Sequence, residues 1–377
     1  MDSVEKVADL RELHKAYRRV RRGKKGRVPA IRFALNPMEG LCRLKWGLED
    51  QSYHMGRYTS FCVERPVHRE ISTCAYQDKI VLRAFSENVL WPIVNPHLIE
   101  DNYASRKGYG THYALDRLEE NLHAYFINHG STGWVVTIDA TKYFHNLVHQ
   151  KIHNDFLRYG SDEWTMWLTD IILDSVYQQR KRGYVVDDLV QLCDMPGMDE
   201  LDIGSPLGNV TSQVHAVQYP NAIDHFVKDQ CGIKYYGRYM DDSYIIHHDK
   251  AYLESLLSEI RKRYGNIGLE LNRKTQIQPL KNGVKFLGMH FYLSETGKVT
   301  RRLKPTNLKY ERVHLREFAA EVAAGRMTEE SYWKRFEAWD NHASHADAKA
   351  IRTKMKLFAQ EVLNNAYRRE RRELGKE

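Results

Sequence analysis

The sequence predicts an α+β fold that gives way to helix alone after about residue 300. Three observations predict it. Short apolar or alternating runs bounded by turn residues, such as Trp134–Ile138 and Lys234–His247, read as strands. Between them lie segments with apolar residues at three- and four-residue spacing, of which Ala114–Phe126 and Tyr252–Tyr264 are the clearest. After Pro305 only helical patterns remain.

Composition narrows the function classes. Of 377 residues, 42% are hydrophobic and 28% charged, which excludes wholesale disorder. Lys and Arg number 57 against 49 Asp and Glu, a formal net charge of +8, so an acidic polymer is a candidate partner. No apolar run is long enough to cross a membrane, and the N-terminal MDSVEKVADL lacks the apolar core of a signal peptide. Cys42, Cys62, Cys74, Cys193 and Cys231 form no CxxC pair, which argues against disulfide scaffolds and zinc fingers and suits a reducing cytosol.

Taken in order, residues 2–22 read as an amphipathic helix running into a basic stretch. Its cations Arg18, Arg19, Arg21, Arg22, Lys24 and Lys25 suit either a solvated helix end or phosphate contact. A helix follows over 38–48, then strands over 58–63 and 69–73 around Arg65-Pro66, and a helix over 78–94. Asn102–Thr111 is a basic, glycine-bearing loop containing Arg106 and Lys107. Residues 146–177 are helical apart from a break at Gly160-Ser161-Asp162, and 181–203 form an irregular connector. Helix returns from about Ser212 to Asp229, with Pro220 interrupting it. Two or three short strands precede the helical end, passing through Phe286 and Phe291-Tyr292.

The chemistry concentrates at Tyr239-Met240-Asp241-Asp242, where the Lys234–His247 stretch must turn. Paired aspartates in a turn are usually solvated turn formers. These two are flanked by apolar strand on both sides, and like charges so placed need a counter-charge, most naturally a divalent metal. Asp139, at the end of the Val135–Ile138 strand, reads alone as a helix cap. With Asp241 and Asp242 it completes an oxygen-rich cage for Mg²⁺, and two ions about 3.5–4 Å apart would bridge nucleophile, phosphorus and leaving group. Gly204–Gln213 (GSPLGNVTSQ) is a glycine-bearing loop feeding a helix, so backbone there can approach a flat substrate.

Asp139 with Phe144, the SPLGNVTSQ loop, YMDD, Lys274 and Phe286-Leu287-Gly288 resemble, in order and spacing, the palm of reverse transcriptases. Arg69–Lys79 and NYASRKGYGTHYAL resemble the two finger motifs. Ala338–His345, with Trp339, His342 and His345, resembles the thumb segment of the bacterial enzymes. Among these the sequence is most similar to the diversity-generating retroelement class, on Leu207-Gly208-Asn209 followed by Thr211-Ser212-Gln213. Defence-associated (anti-phage) enzymes share the same core.

The resemblance implies a right-hand polymerase: a basic N-terminal helix (1–29), fingers (30–130), palm (131–300) and helical thumb with a charged tail (301–377). It implies RNA-directed DNA synthesis in which Asp139, Asp241 and Asp242 hold two Mg²⁺ ions, Mn²⁺ being a substitute, and Lys274 stands near the leaving pyrophosphate. Arg65 and Arg69 would grip the triphosphate, and Phe144 would exclude a 2′-hydroxyl. Leu207, Gly208 and Gln213 would face the forming base pair. The basic N-terminal residues, Arg106, Lys107, Trp339, His342 and His345 would contact nucleic acid. Implied partners are a template RNA or a dedicated noncoding RNA, the cDNA product and dNTPs, with a small accessory protein or an oligomer left open and no membrane. Implied too is a cytoplasmic protein, bacterial or phage-encoded. An inactive RNA-binding scaffold is the reading from another class, and it would have no need of all three carboxylates.

Overall fold

The computed structural model describes residues 2–63, 69–181 and 203–373. Two helices replace the one expected over 2–22. α1 (Ser3–Ala8) ends where α2 (Leu10–Arg21) begins, because the Asp9 carboxylate accepts from the amides of Arg11 and Glu12 and caps a new helix. α2 buries Leu13, Ala16, Tyr17 and Val20. α3 (Val28–Leu35), which the sequence reading does not contain, starts with Pro29 in its first turn. α4 (Pro37–Glu49) is capped by Asn36. β1 (Thr59–Val63) and β2 (Arg69–Thr73) pair antiparallel, Thr59 opposite Thr73. The expected 78–94 helix runs as α5 (Tyr76–Phe85), a π-turn over Ser86–Leu90, and α6 (Trp91–Val94).

α7 (Thr111–His129) leads into β3 (Trp134–Ile138), then α8 (His149–Arg158) and α9 (Glu163–Lys181). Nearly all of the 181–203 connector lies outside the described residues. The helix expected over 212–229 is divided into α10 (Val210–Gln218) and α11 (Asn221–His225), because Pro220 has no amide to continue the ladder. Burial, with His149 beside it, pulls the His215 imidazole on α10 down to about 3, so it is neutral at physiological pH. β4 (Tyr236–Tyr239) and β5 (Asp242–His247) form the expected hairpin, followed by α12 (Lys250–Asn266). Four strands then stand where two or three were expected: β6 (Ile277–Pro279), β7 (Val284–Phe286), β8 (Met289–Leu293) and β9 (Val299–Leu303). Pro279 and Gly283 cut the region into pieces too short for a periodicity to register.

The strands form a β1-β2 ribbon, a sheet ordered β4-β5-β3-β6, and an antiparallel β7-β8-β9 meander. Leu287 and Gly288, with φ of 43° and 84°, make the two-residue turn of that meander. Contacts divide the chain into two compact units. One comprises Met1–Gly110, Ile138–Ser243 and Glu254–Thr275; the other comprises Thr111–Thr137, Tyr244–Leu253 and Gln276–Glu377.

The second unit ends in α13 (Pro305–Ala323), α14 (Glu329–Ala343) and α15 (Lys349–Glu373). Leu315, Tyr332, Phe336, Met355 and Leu363 form their core, and the buried Tyr332 hydroxyl donates to the Ala359 carbonyl at 2.9 Å. No described helix is long and apolar enough to cross a membrane. Among the described residues, Cys42, Cys62, Cys74 and Cys231 form no disulfide, and Cys193 lies outside them.

Candidate active site

Asp139 follows the last residue of β3, and Asp242 opens β5, the strand beside β3 in the sheet. Between β4 and β5 the chain reverses through Met240, whose φ of 57° lies in the left-handed region, and Asp241. All three aspartates are half-buried. Burial raises the Asp139 carboxyl above the usual range, partly offset by a hydrogen bond from Asn272 and by the positive charge of Lys274. The Asn272 amide donates to Oδ2 of Asp139 at 3.3 Å, and the Asn272 backbone amide donates to the Asp139 carbonyl at 2.7 Å. Lys274 is exposed, and its backbone amide is fixed by the Asn272 side chain at 3.0 Å.

Three carboxylates are the right donor chemistry for a hard divalent cation, and a half-buried anion such as Asp139 is stabilised by one. The ready-formed cage expected from sequence is nevertheless not assembled: among the described residues, no three His, Cys, Asp or Glu side chains are grouped to hold an ion.

The glycine-bearing loop is pinned on several sides. The Ser205 amide donates to the Phe144 carbonyl at 2.8 Å, and the Gly208 amide to the Ser72 carbonyl of β2 at 3.1 Å. The Asn209 side chain donates to the Tyr58 hydroxyl at 2.7 Å, and the Ser212 hydroxyl to the Pro206 carbonyl at 2.6 Å. A Cβ on Gly208 would stand 2.3 Å from the Ser72 oxygen, so only glycine permits this approach. Phe144 and Leu207 are half-buried, each leaving part of its surface open. Gln213 accepts from the Ser105 hydroxyl at 3.4 Å.

Gln213 also borders a cleft of about 1050 Å³ lined by Arg19, Arg83, Trp91, Lys107 and Tyr109. Cations and aromatic faces in one groove are the composition that suits a nucleic-acid strand. Several expected contact residues also have partners within the chain. Arg19 is ion-paired with Glu87, and Arg21 lies over the Tyr17 ring. Arg18, Arg22, Lys24 and Lys25 are exposed. Arg106 turns into its own loop, donating to Asn95, to the Ile99 carbonyl at 3.0 Å and to the Asn102 carbonyl at 2.9 Å. Arg69 lies on β2, and Arg65 falls outside the described residues.

In the second unit, Trp339 packs against the three-helix core and stacks at a tilt on Phe336. The His345 ring stacks on His112 at 3.6 Å. Burial and neighbouring histidines pull His342 and His345 below the ordinary imidazole range. Sequence reasoning missed Asn272, Ser72, Arg238 and Asp224. For Arg238 there was a signal, a lone charge inside the aromatic strand Tyr236–Tyr239; the others carry none.

Residues 65–291 match the family described as reverse transcriptase (RNA-dependent DNA polymerase). Among solved structures the chain is similar to telomerase from Candida albicans, determined with a fragment of telomeric RNA. Identity is 10% and the TM-score 0.42, over 88% of this chain and 65% of that one. It is also similar to apo telomerase from Candida tropicalis truncated from its C-terminal domain, at 10% identity and a TM-score of 0.46, over 68% of this chain and 58% of that one. The chain thus spans less than two thirds of the length of either telomerase chain. No curated protein matches it in sequence.

Proposed function

Because this chain belongs to the reverse transcriptase (RNA-dependent DNA polymerase) family, matched over residues 65–291, we propose that it copies an RNA template into cDNA from dNTPs. The observation that carries this reading is the docking of the Gly204–Gln213 loop between the Phe144 segment and strand β2, in the unit that holds Asp139, Asp241 and Asp242. We read the chain as a basic N-terminal helical segment to residue 29, fingers over 30–130, palm over 131–300 and thumb over 301–377.

Asp139, Asp241 and Asp242 are the residues that would hold two divalent ions, Mg²⁺ or Mn²⁺, which supply charge neutralisation at the reacting phosphate. What remains for the chain is chiefly positioning. Phe144 limits the room beneath the sugar, which favours a deoxynucleotide over one with a further hydroxyl. Lys274 keeps a positive charge within electrostatic reach of Asp139, where a pyrophosphate leaves. Arg69, on the strand to which Gly208 is bonded, would meet the triphosphate, and so would Arg65. The basic, aromatic cleft ending at Gln213 suits the RNA template, or a dedicated noncoding RNA. Lys107, the exposed N-terminal cations and the His342–His345 segment would serve the duplex.

Leu207, with no amide to offer the forming base pair, supports the diversity-generating retroelement kind over the defence-associated kind. A hydrogen bond that forms only in correct geometry adds discrimination, and leucine cannot make one. Sequencing cDNA made from a defined RNA template tests both levels. The expected product is cDNA whose errors concentrate opposite template adenine. An even error spectrum would overturn the retroelement reading alone, whereas absence of cDNA would overturn reverse transcription.

A further inference from the structure

Arg238 lies on β4, two residues before Met240, and is completely buried; so is Asp224 on α11. A charged pair removed from water persists only when its hydrogen bonds are complete. These are. Nε of Arg238 donates to both Asp224 oxygens, at 2.8 and 3.0 Å, and Nη2 donates to Oδ2 at 2.6 Å. The Tyr236 hydroxyl donates to the other oxygen at 2.6 Å. The guanidinium then has donors left over, and they go to backbone: Nη2 to the Val217 carbonyl at 2.7 Å, Nη1 to the Met240 carbonyl at 2.8 Å.

Met240 is the residue of the YMDD turn with φ of 57°, a conformation that a side chain disfavours and that its surroundings must enforce. The main chain of Arg238 is itself clamped. Its amide donates to the Asp101 carbonyl at 2.9 Å, and its carbonyl accepts from the Tyr103 amide at 2.9 Å. One rigid group is therefore fixed to α10, α11 and the 101–103 segment, and it holds the turn that carries two of the three aspartates.

We propose that Arg238, oriented by Asp224, is a positioning residue for polymerisation: its grip on the Met240 carbonyl holds the turn in the shape that presents Asp241 and Asp242 to divalent metal. This rests on the reading of those aspartates as metal-holding residues. A guanidinium is needed because its planar fork serves a carboxylate and two carbonyls at once; an ammonium, a single nitrogen on a flexible stem, does not. Stability alone does not call for the charges, since apolar residues of similar volume commonly replace a buried ion pair without loss.

Two variants of the full chain separate positioning from folding. Arg238→Lys keeps a charge opposite Asp224 but loses the fork. Arg238→Met combined with Asp224→Leu removes both buried charges. Mn²⁺ affinity is read by electron paramagnetic resonance, the folded fraction by near-ultraviolet circular dichroism, and incorporation rate per folded molecule in single turnover, with wild type and Asp241→Asn alongside. The folded variants are expected to bind Mn²⁺ on the order of tenfold more weakly, as when a ligand's supporting partner is lost. They should need correspondingly more Mg²⁺ for half-maximal rate.

A folded variant with wild-type Mn²⁺ affinity overturns the proposal. Loss of folding in both variants assigns the pair to folding alone and overturns it as well. A wild type that binds Mn²⁺ no better than Asp241→Asn sinks instead the metal reading on which the proposal stands.

Discussion

Asp242→Asn is expected to reduce dNTP incorporation by about 10³-fold or more, the equivalent of the several kcal/mol that metal-borne charge stabilisation supplies. The amide occupies nearly the same volume, so the turn that begins β5 keeps its shape. The Arg238 bond to the Met240 carbonyl is untouched. Folding and affinity for a primed RNA are therefore expected to stay at wild-type levels. Primer extension and gel-shift titration on the same preparations check the two halves of this expectation. Extension near the wild-type rate would show that Asp242 does not take part in the reaction.

Gly208→Ala should be the most damaging small substitution in the loop. The added Cβ would meet the Ser72 carbonyl oxygen at 2.3 Å and the Thr73 Cα at 3.1 Å, both backbone atoms that cannot rotate away. The constraint is one of space, because Gly208 is not among the glycines with positive φ. Relief requires β2 to shift away from the loop, at a cost of about 1–3 kcal/mol by analogy with overpacked cores. A shift of β2 also moves Arg69. The expected kinetic signature is a KM for dNTP raised about tenfold, as when a substrate-positioning group is displaced by a fraction of an ångström. Urea unfolding and steady-state kinetics measure the two effects. Wild-type values in both would mean that the loop and β2 tolerate separation.

Residues whose position in the fold follows from local pattern were legible in the sequence. Asp139 sits where an apolar strand stops, the YMDD aspartates sit where an alternating run must reverse, and the glycine loop precedes a helix. Each is defined within a dozen residues. Supporting groups such as Asn272 and Asn209 were not legible, because each meets its partner across a long separation. Asn272 reaches Asp139 over 133 positions, and Asn209 reaches Tyr58 over 151.

Structural contacts of residues read as nucleic-acid contacts were equally illegible. Arg106 resembles a nucleic-acid cation in sequence, yet its guanidinium satisfies carbonyls of its own loop. Trp339 likewise packs against the core of the last three helices. The break at Asp9 is a capping decision that apolar spacing overrides on paper, since Val4, Val7, Leu10 and Leu13 keep helical period through it. The missed helix α3 follows a basic run that gives no periodicity of its own.

The most direct measurement is single-nucleotide incorporation by the purified chain on a DNA primer annealed to RNA, titrated with Mg²⁺ and then with a chelator. The account predicts extension by a dNTP that saturates with Mg²⁺, stops on chelation and is restored by excess ion. Asp139→Asn should give none at any concentration. Incorporation that survives chelation, or a wild type that extends the primer in neither Mg²⁺ nor Mn²⁺, would contradict it.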